Sequence, residues 1–265
     1  MLRCRKTFCS GRWSERNSRN PALAPARPAG LDGAPSRGLP HRFLKDLSLK
    51  VPIHPQGWRF IAIAAALNLL GFAVALWLGL VLLPVTAWVV AFFRDPERTA
   101  PAGANLVLSP ADGKLLPIVK AVPPEELGLG PEPRVRLAIF MSVFNVHVNR
   151  APCGGSVTGL AYRPGKFFNA SFDKASHYNE RKSILLRMDD TVGAPSLAVV
   201  QIAGLVARRI VCDLQQGQKL CRGDRFGIIR FGSRLEVYLP DGARVLAKEG
   251  RTVVAGETVL ADFPS

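Results

Sequence analysis

Polar and apolar positions divide the chain into three stretches of different character. Residues 1–40 show no apolar period; Arg, Pro, Ala, Ser and Gly follow one another without repeat, so this stretch reads as a disordered basic extension. It is Arg-rich and acid-poor, as transit peptides are, but a disordered arm or a start codon placed too early is the simpler reading. Residues 41–95 form the second stretch, in which Phe60 to Phe93 runs 34 residues without a charge. One helix of that length would rise about 51 Å, against a hydrocarbon core of about 30 Å. Gly71, Gly79 and Pro84 offer places to turn, and the pattern predicts a membrane-embedded hairpin of two short helices. A secretory signal fits poorly, because the run is too long and lacks a small-residue cleavage site before Arg94.

From residue 96 the pattern changes to short runs of branched and aromatic residues: VRLAIFMSVFNVHVN, ILLRM, SLAVVQIAGLVARRIVC, FGIIRF and LEVYL. Gly, Pro and Asp-Gly separate them, as between strands. SPADGKLLPI and LPDGARVLAK each place Asp-Gly between apolar residues, a hairpin signal. The expected fold is mainly β (α+β), a compact β-sandwich or barrel-like domain over 96–265 behind the helical hairpin, rather than a βαβ fold.

Charge refines this picture. Residues 1–59 hold 12 Lys and Arg against three acids, so +9 of the net +15 lies there. The remainder is only mildly basic, which argues against nucleic acid as a partner. A basic flank before an apolar hairpin stays cytoplasmic, and the hairpin returns the chain to that side. The five cysteines show no Cys-x-x-Cys spacing, in keeping with a reduced compartment.

In FMSVFNVHVNR, strand alternation puts Phe144, Val146 and Val148 on one face and Asn145, His147 and Asn149 on the other. His147 and His177 are the two histidines after the apolar run, hence the candidates for proton transfer near neutrality. Asp112 in SPADGK reads by spacing as a turn residue. RPGKFFNASFDKASHYNERKS mixes cations and aromatics, a combination suited to a phosphate head group at a membrane surface; within it Lys166, Phe167 and Asn169 are the candidate substrate contacts. No metal-ligand constellation occurs, and Ser233 in RFGSRLEVYLP lacks the Gly-x-Ser-x-Gly elbow of a serine hydrolase.

SPADGK, FMSVFNVHVNRAP, RPGKFFNASFDKAS…NER and IRFGSRLEVYLP, preceded by VPIHPQGW and an uncharged run ending in FFRDPER, occur in the order and spacing of bacterial short-form phosphatidylserine decarboxylase proenzymes. The chain resembles that family from about residue 41 to its end; CGG at 153–155 and SHY at 176–178 depart from the pattern. The resemblance implies self-cleavage between Gly232 and Ser233, with Ser233 becoming a covalent pyruvoyl cofactor that forms a Schiff base with phosphatidylserine in the inner cell membrane and releases CO2 to give phosphatidylethanolamine. It implies a triad in which Asp112 orients His147 and His147 deprotonates Ser233. His147 then protonates the decarboxylated carbon. The products of cleavage would be a chain of 232 residues and one of the remaining 33, held together as a heterodimer, with a higher oligomer left open.

The main rival is a membrane-anchored lipoyl- or biotinyl-like β-domain without catalysis. It requires a modifiable lysine at a hairpin tip, for which Lys114 and Lys248 are the candidates, neither beside a methionine.

Overall fold

A computed structural model of the chain describes residues 52–263 except 171–173, 190, 192, 206–208 and 231. The basic extension 1–40 therefore lies outside the described residues. The uncharged run forms two helices, α1 (Trp58–Val74) and α2 (Leu76–Phe92), joined by the single extended residue Ala75 at φ −160°, ψ 138°. They pack antiparallel: Asn68 Nδ2 donates to the Gly79 carbonyl (3.0 Å), Thr86 Oγ1 donates to that of Ala64 (3.4 Å), and Phe60 stacks on Phe93 with ring centroids 5.3 Å apart.

The turn is not at either glycine. A Cβ on Gly71 would lie 2.9 Å from Leu82 Cδ1, and one on Gly79 would strike the Phe72 ring, so both serve close helix approach. Pro84 sits inside α2 rather than at its end. Leu69, Leu70, Val74, Leu76 and Trp77 point outward and are exposed, forming an apolar surface that a soluble monomer rarely shows. Pro55–Val74 is long and apolar enough to cross a membrane, at mean hydropathy 1.6.

The remainder is built from short strands: β1 (Leu106–Leu108), β2 (Gly113–Leu115), β3 (Val119–Ala121), β4 (Arg134–Met141), β5 (Val148–Arg150), β6 (Gly155–Arg163), β7 (Arg181–Met188) and β8 (Ser196–Ala203). Then follow β9 (Ile210–Cys212), β10 (Lys219–Leu220), β11 (Arg225–Ile229), β12 (Ser233–Tyr238), β13 (Arg244–Val245), β14 (Thr252–Val253) and β15 (Val259–Asp262). The short helix α3 (Lys174–Tyr178) precedes β7. The main nine-stranded sheet runs β10-β6-β7-β8-β12-β4-β2-β14 with β3 beside β4, and β5-β11-β9 and β1-β15-β13 form two smaller sheets. The ladders are antiparallel, so the expected mainly-β class holds.

The centre of the main sheet is buried on both faces, which is why β8 reads as a nearly unbroken apolar run. One face carries Leu137, Ile139, Leu197, Val199, Leu235 and Val237; the other carries Ala198, Val200, Ile202 and Tyr238. On that second face β12 also buries charge. Arg234 Nε lies 2.8 Å from Glu236 Oε1, and the hydroxyls of Ser176 and Tyr238 donate to the same carboxylate at 2.7 and 2.8 Å. Burial of this kind is tolerable only when both charges are paired and hydrogen-bonded.

Two expectations need correction. FMSVFNVHVNR is not one strand: β4 ends at Met141, and Asn145 Oδ1 accepts from both the backbone N and Oγ of Ser142 at 2.8 Å, closing a tight turn before β5. Phe144 is consequently 71% exposed, not on a shared buried face with Val146 and Val148. Nor do the Asp-Gly pairs make hairpins. β1 pairs with β15 while β2 pairs with β4 and β14, so the segment around Asp112 passes between sheets; β12 and β13 likewise belong to different sheets.

Candidate active site

Ser233 opens β12, paired in register with Met141 of β4 and Ala203 of β8. It is fully buried, with its hydroxyl 3.3 Å from the Met141 thioether. The preceding Gly232 has φ +68°, a left-handed conformation that favours glycine.

His147 reaches this point from the turn before β5. Its Nδ1 lies 2.9 Å from the Asn145 carbonyl and its Nε2 lies 3.3 Å from the Gly232 backbone N. A carbonyl can only accept and a backbone N–H can only donate, so the proton sits on Nδ1 and the Nε2 lone pair accepts from the Gly232 N–H, one residue before Ser233. Burial lowers the imidazole pKa to about 4; the Asn145 carbonyl opposes that shift and the charge of Arg94 adds to it. The ring is thus neutral over the physiological range, the form a base requires. Phe92, at the end of α2, lies against it with centroids 4.2 Å apart.

The carbonyl of Gly232 rests against Gly204, just past β8. A Cβ on Gly204 would collide with that carbonyl oxygen and sit 3.1 Å from its carbon. Asn179 fastens the neighbouring loop to the same place: its Nδ2 donates to the carbonyls of Phe168 and Ala203, both at 2.7 Å, and its Oδ1 accepts from the Phe168 N–H at 2.8 Å. Of the candidate substrate contacts, Phe167 packs beside Ala203 and Ile229, while Lys166 and Asn169 are exposed on the rim. His177, on α3, is exposed.

Asp112 is placed differently from the expected triad. Its carboxylate accepts from Arg98 at 2.9 Å and from the Ala255 N–H at 2.7 Å, and it shares no hydrogen bond with His147. The Asn145 carbonyl occupies the position an orienting carboxylate would take. Of the rival's candidates, Lys114 lies within β2 rather than at a hairpin tip, and Lys248 lies between β13 and β14, which belong to different sheets. Among the described residues no group of three His, Cys, Asp or Glu could hold a metal.

A family model described as phosphatidylserine decarboxylase matches residues 85–261, which contain Asp112, His147, Gly232 and Ser233. The chain belongs to that family. A phosphatidylserine decarboxylase proenzyme of Cereibacter sphaeroides is 55% identical over 214 residues, covering 81% of this chain and 91% of the relative. One of Ruegeria pomeroyi is 53% identical over 220 residues, 83% of this chain and 99% of the relative. As a member of the phosphatidylserine decarboxylase family the protein is an enzyme, a carboxy-lyase, and the matched region begins inside α2, so the end of that helix lies within it.

Sequence reasoning placed Asn145 beside His147 but not its backbone carbonyl at Nδ1, and it missed both Phe92 against the imidazole and Gly204 against the Gly232 carbonyl. Only the Ala-Gly step after the apolar run of β8 hinted at Gly204. Gly204→Ala is expected to displace the Gly232 carbonyl, and displacements near 1 Å cost about 100-fold in rate. A time course of the precursor on a denaturing gel measures it; wild-type conversion would refute the seat.

Proposed function

We propose that the chain cuts itself between Gly232 and Ser233, carries the resulting pyruvoyl group at the head of β12, and decarboxylates phosphatidylserine to phosphatidylethanolamine. The observation that carries this reading is the neutral His147, whose Nε2 accepts from the Gly232 N–H next to a buried serine hydroxyl. The names of the relatives supply the substrate.

The serine hydroxyl must first leave the Met141 thioether. His147 then takes its proton as Oγ attacks the Gly232 carbonyl carbon, and returns a proton to the Ser233 nitrogen as the C–N bond breaks, leaving an ester. Removal of the Ser233 α-proton expels Gly232 as a carboxylate. Water converts the dehydroalanine left on the shorter chain to pyruvoyl and ammonia. Glycine at 204 leaves room for the Gly232 carbonyl, whose oxygen a Cβ there would strike. The pyruvoyl ketone supplies an electron sink for an amino acid losing CO2. His147 is the proposed proton donor to the carbon left behind, a role favoured once an anionic head group offsets the burial that keeps the ring neutral. Asp112 acts as a brace here: Arg98 and residue 255 hold it, and the adjoining Pro110 carbonyl accepts from the Arg150 N–H at 2.9 Å, steadying β5 beside His147.

The lipid substrate fits the surroundings. Phe167, Lys166 and Asn169 form the rim proposed to meet the head group. Arg230 lies over the Phe60 ring at 5.2 Å at the foot of the apolar hairpin; burial lowers its pKa, and the charges of Arg209 and Arg59 add to that shift. The hairpin is proposed to hold this face against the cytoplasmic leaflet of the inner membrane. The domain division follows the same reading: an extension to residue 40, a membrane segment to 95 and a catalytic body from 96. After cleavage the 1–232 and 233–265 chains stay together as a heterodimer.

The decisive experiment is intact mass spectrometry of the purified protein, with and without borohydride in the presence of phosphatidylserine vesicles. Two chains, the shorter one lacking an amino terminus and trapping the lipid amine on reduction, are expected. A single chain with an ordinary amino terminus throughout would end the proposal.

A further inference from the structure

The apolar hairpin and His147 are joined by an aromatic series. Phe60 stacks on Phe93 at 5.3 Å, Phe93 meets Phe92 edge-on at 5.0 Å, and Phe92 covers the imidazole at 4.2 Å with the ring planes 32° apart. Phe92 and His147 are buried to 1% and 0% exposure. Backbone bonds fasten the hairpin's foot below them: the His54 N–H donates to the Phe93 carbonyl at 2.9 Å, and the Asp95 N–H to that of Pro52 at 2.7 Å. We propose that Phe92 is the positioning residue for His147, so that seating of the hairpin keeps the base dry and held beside Gly232 and Ser233.

The argument is geometric. Hydrogen bonds at Nδ1 and Nε2 hold the imidazole by two edges and define an axis lying in its plane. They touch neither face of the ring, and a flat group packed on a face restrains its tilt. The same ring displaces water from the face it covers. Among the described residues, Arg94, which directly follows the hairpin, is the charged group acting on His147. It too is tied to the site, donating to the Ala91 carbonyl at 2.6 Å and the Phe144 carbonyl at 2.8 Å. Asn145, Met141 and Ser233 add no charge. The end of α2 thus supplies both cover and field.

The inference rests on reading His147 as the base, and its test separates the two. Full-length precursor is made by cell-free synthesis with phosphatidylcholine vesicles, and conversion to two chains is followed from acid to neutral pH. Wild type is expected to lose activity only near the imidazole pKa of about 4. In Phe92→Ala the acid limb moves up toward about 6, the ordinary range of a solvated imidazole, so that conversion at a pH of about 5 falls about tenfold. Phe92→Leu fills the volume without a flat face; its conversion slows at every pH while the limb stays near wild type. Wild-type rates and limb in both Phe92 variants would overturn the inference; if Phe92→Ala does not fold, a wild-type rate in Phe92→Leu does so alone. His147→Gln that cleaves at the wild-type rate would instead refute the reading beneath it.

Discussion

Ser233→Ala is expected to leave one uncut chain of 265 residues without decarboxylase activity. Alanine removes the oxygen that attacks and the bond whose elimination creates the ketone, so no slower version of the same route remains. The structure also indicates that the loss will not come from misfolding. The hydroxyl's hydrogen bond runs to a thioether at 3.3 Å, a weak acceptor, and its removal costs no more than about 1 kcal/mol. β12 keeps its pairing with β4 and β8. Intact mass and thermal melting together check this: unchanged mass, near-native melting and no CO2 release. Any CO2 released by the uncut variant would show that the electron sink lies elsewhere.

His147→Gln is expected to slow conversion by about 10²–10⁴-fold, the usual worth of a positioned base. The side-chain amide fills much of the space beneath Phe92 but cannot take a proton. The same substitution has a stability signature. In the folded chain the imidazole pKa is held at about 4 by burial, whereas the unfolded chain titrates near 6.5. Between those values the unfolded state binds a proton that the folded state refuses, so stability falls as pH drops from about 6.5 to about 4 and then levels. The full difference is on the order of 3 kcal/mol. Unprocessed Ser233→Ala protein is expected to show that decline in melting temperature, and the double variant carrying His147→Gln to show less of it. Parallel curves would contradict the burial assigned to this ring.

The parts of the molecule legible in the sequence were those written in neighbouring residues. An uncharged run too long for one helix forced a fold-back, and the hairpin is there. Its turn was misplaced because Gly71 and Gly79 serve side-by-side packing, a use that composition does not distinguish from bending. The alternation through His147 broke because the Asn145 side chain closes on Ser142, a local bond that competes with the strand. Ser233, Gly232 and His147 were found through a motif and do converge. Asp112 was not brought to the imidazole, because Arg98 and a backbone N–H claim its carboxylate. Gly204 and Phe92 stand 28 and 55 residues from the groups they support. Nothing along the chain announces such pairings; sheet register and the clasp at the hairpin's foot create them.

The position of β12 has one more consequence. It lies between β4 and β8, and β14 and β15, which follow it, pair with β2 and β1, all four of which belong to the longer product of the proposed cleavage. The shorter product is therefore woven into its partner before it exists as a separate molecule. It never has to search for its register, and once heat or denaturant pulls the pair apart, no covalent tether brings that register back. Mature enzyme should therefore survive by the slowness of its opening rather than by the ease of its return. Separately expressed halves should stay inert, and a single breath of complete unfolding should be final.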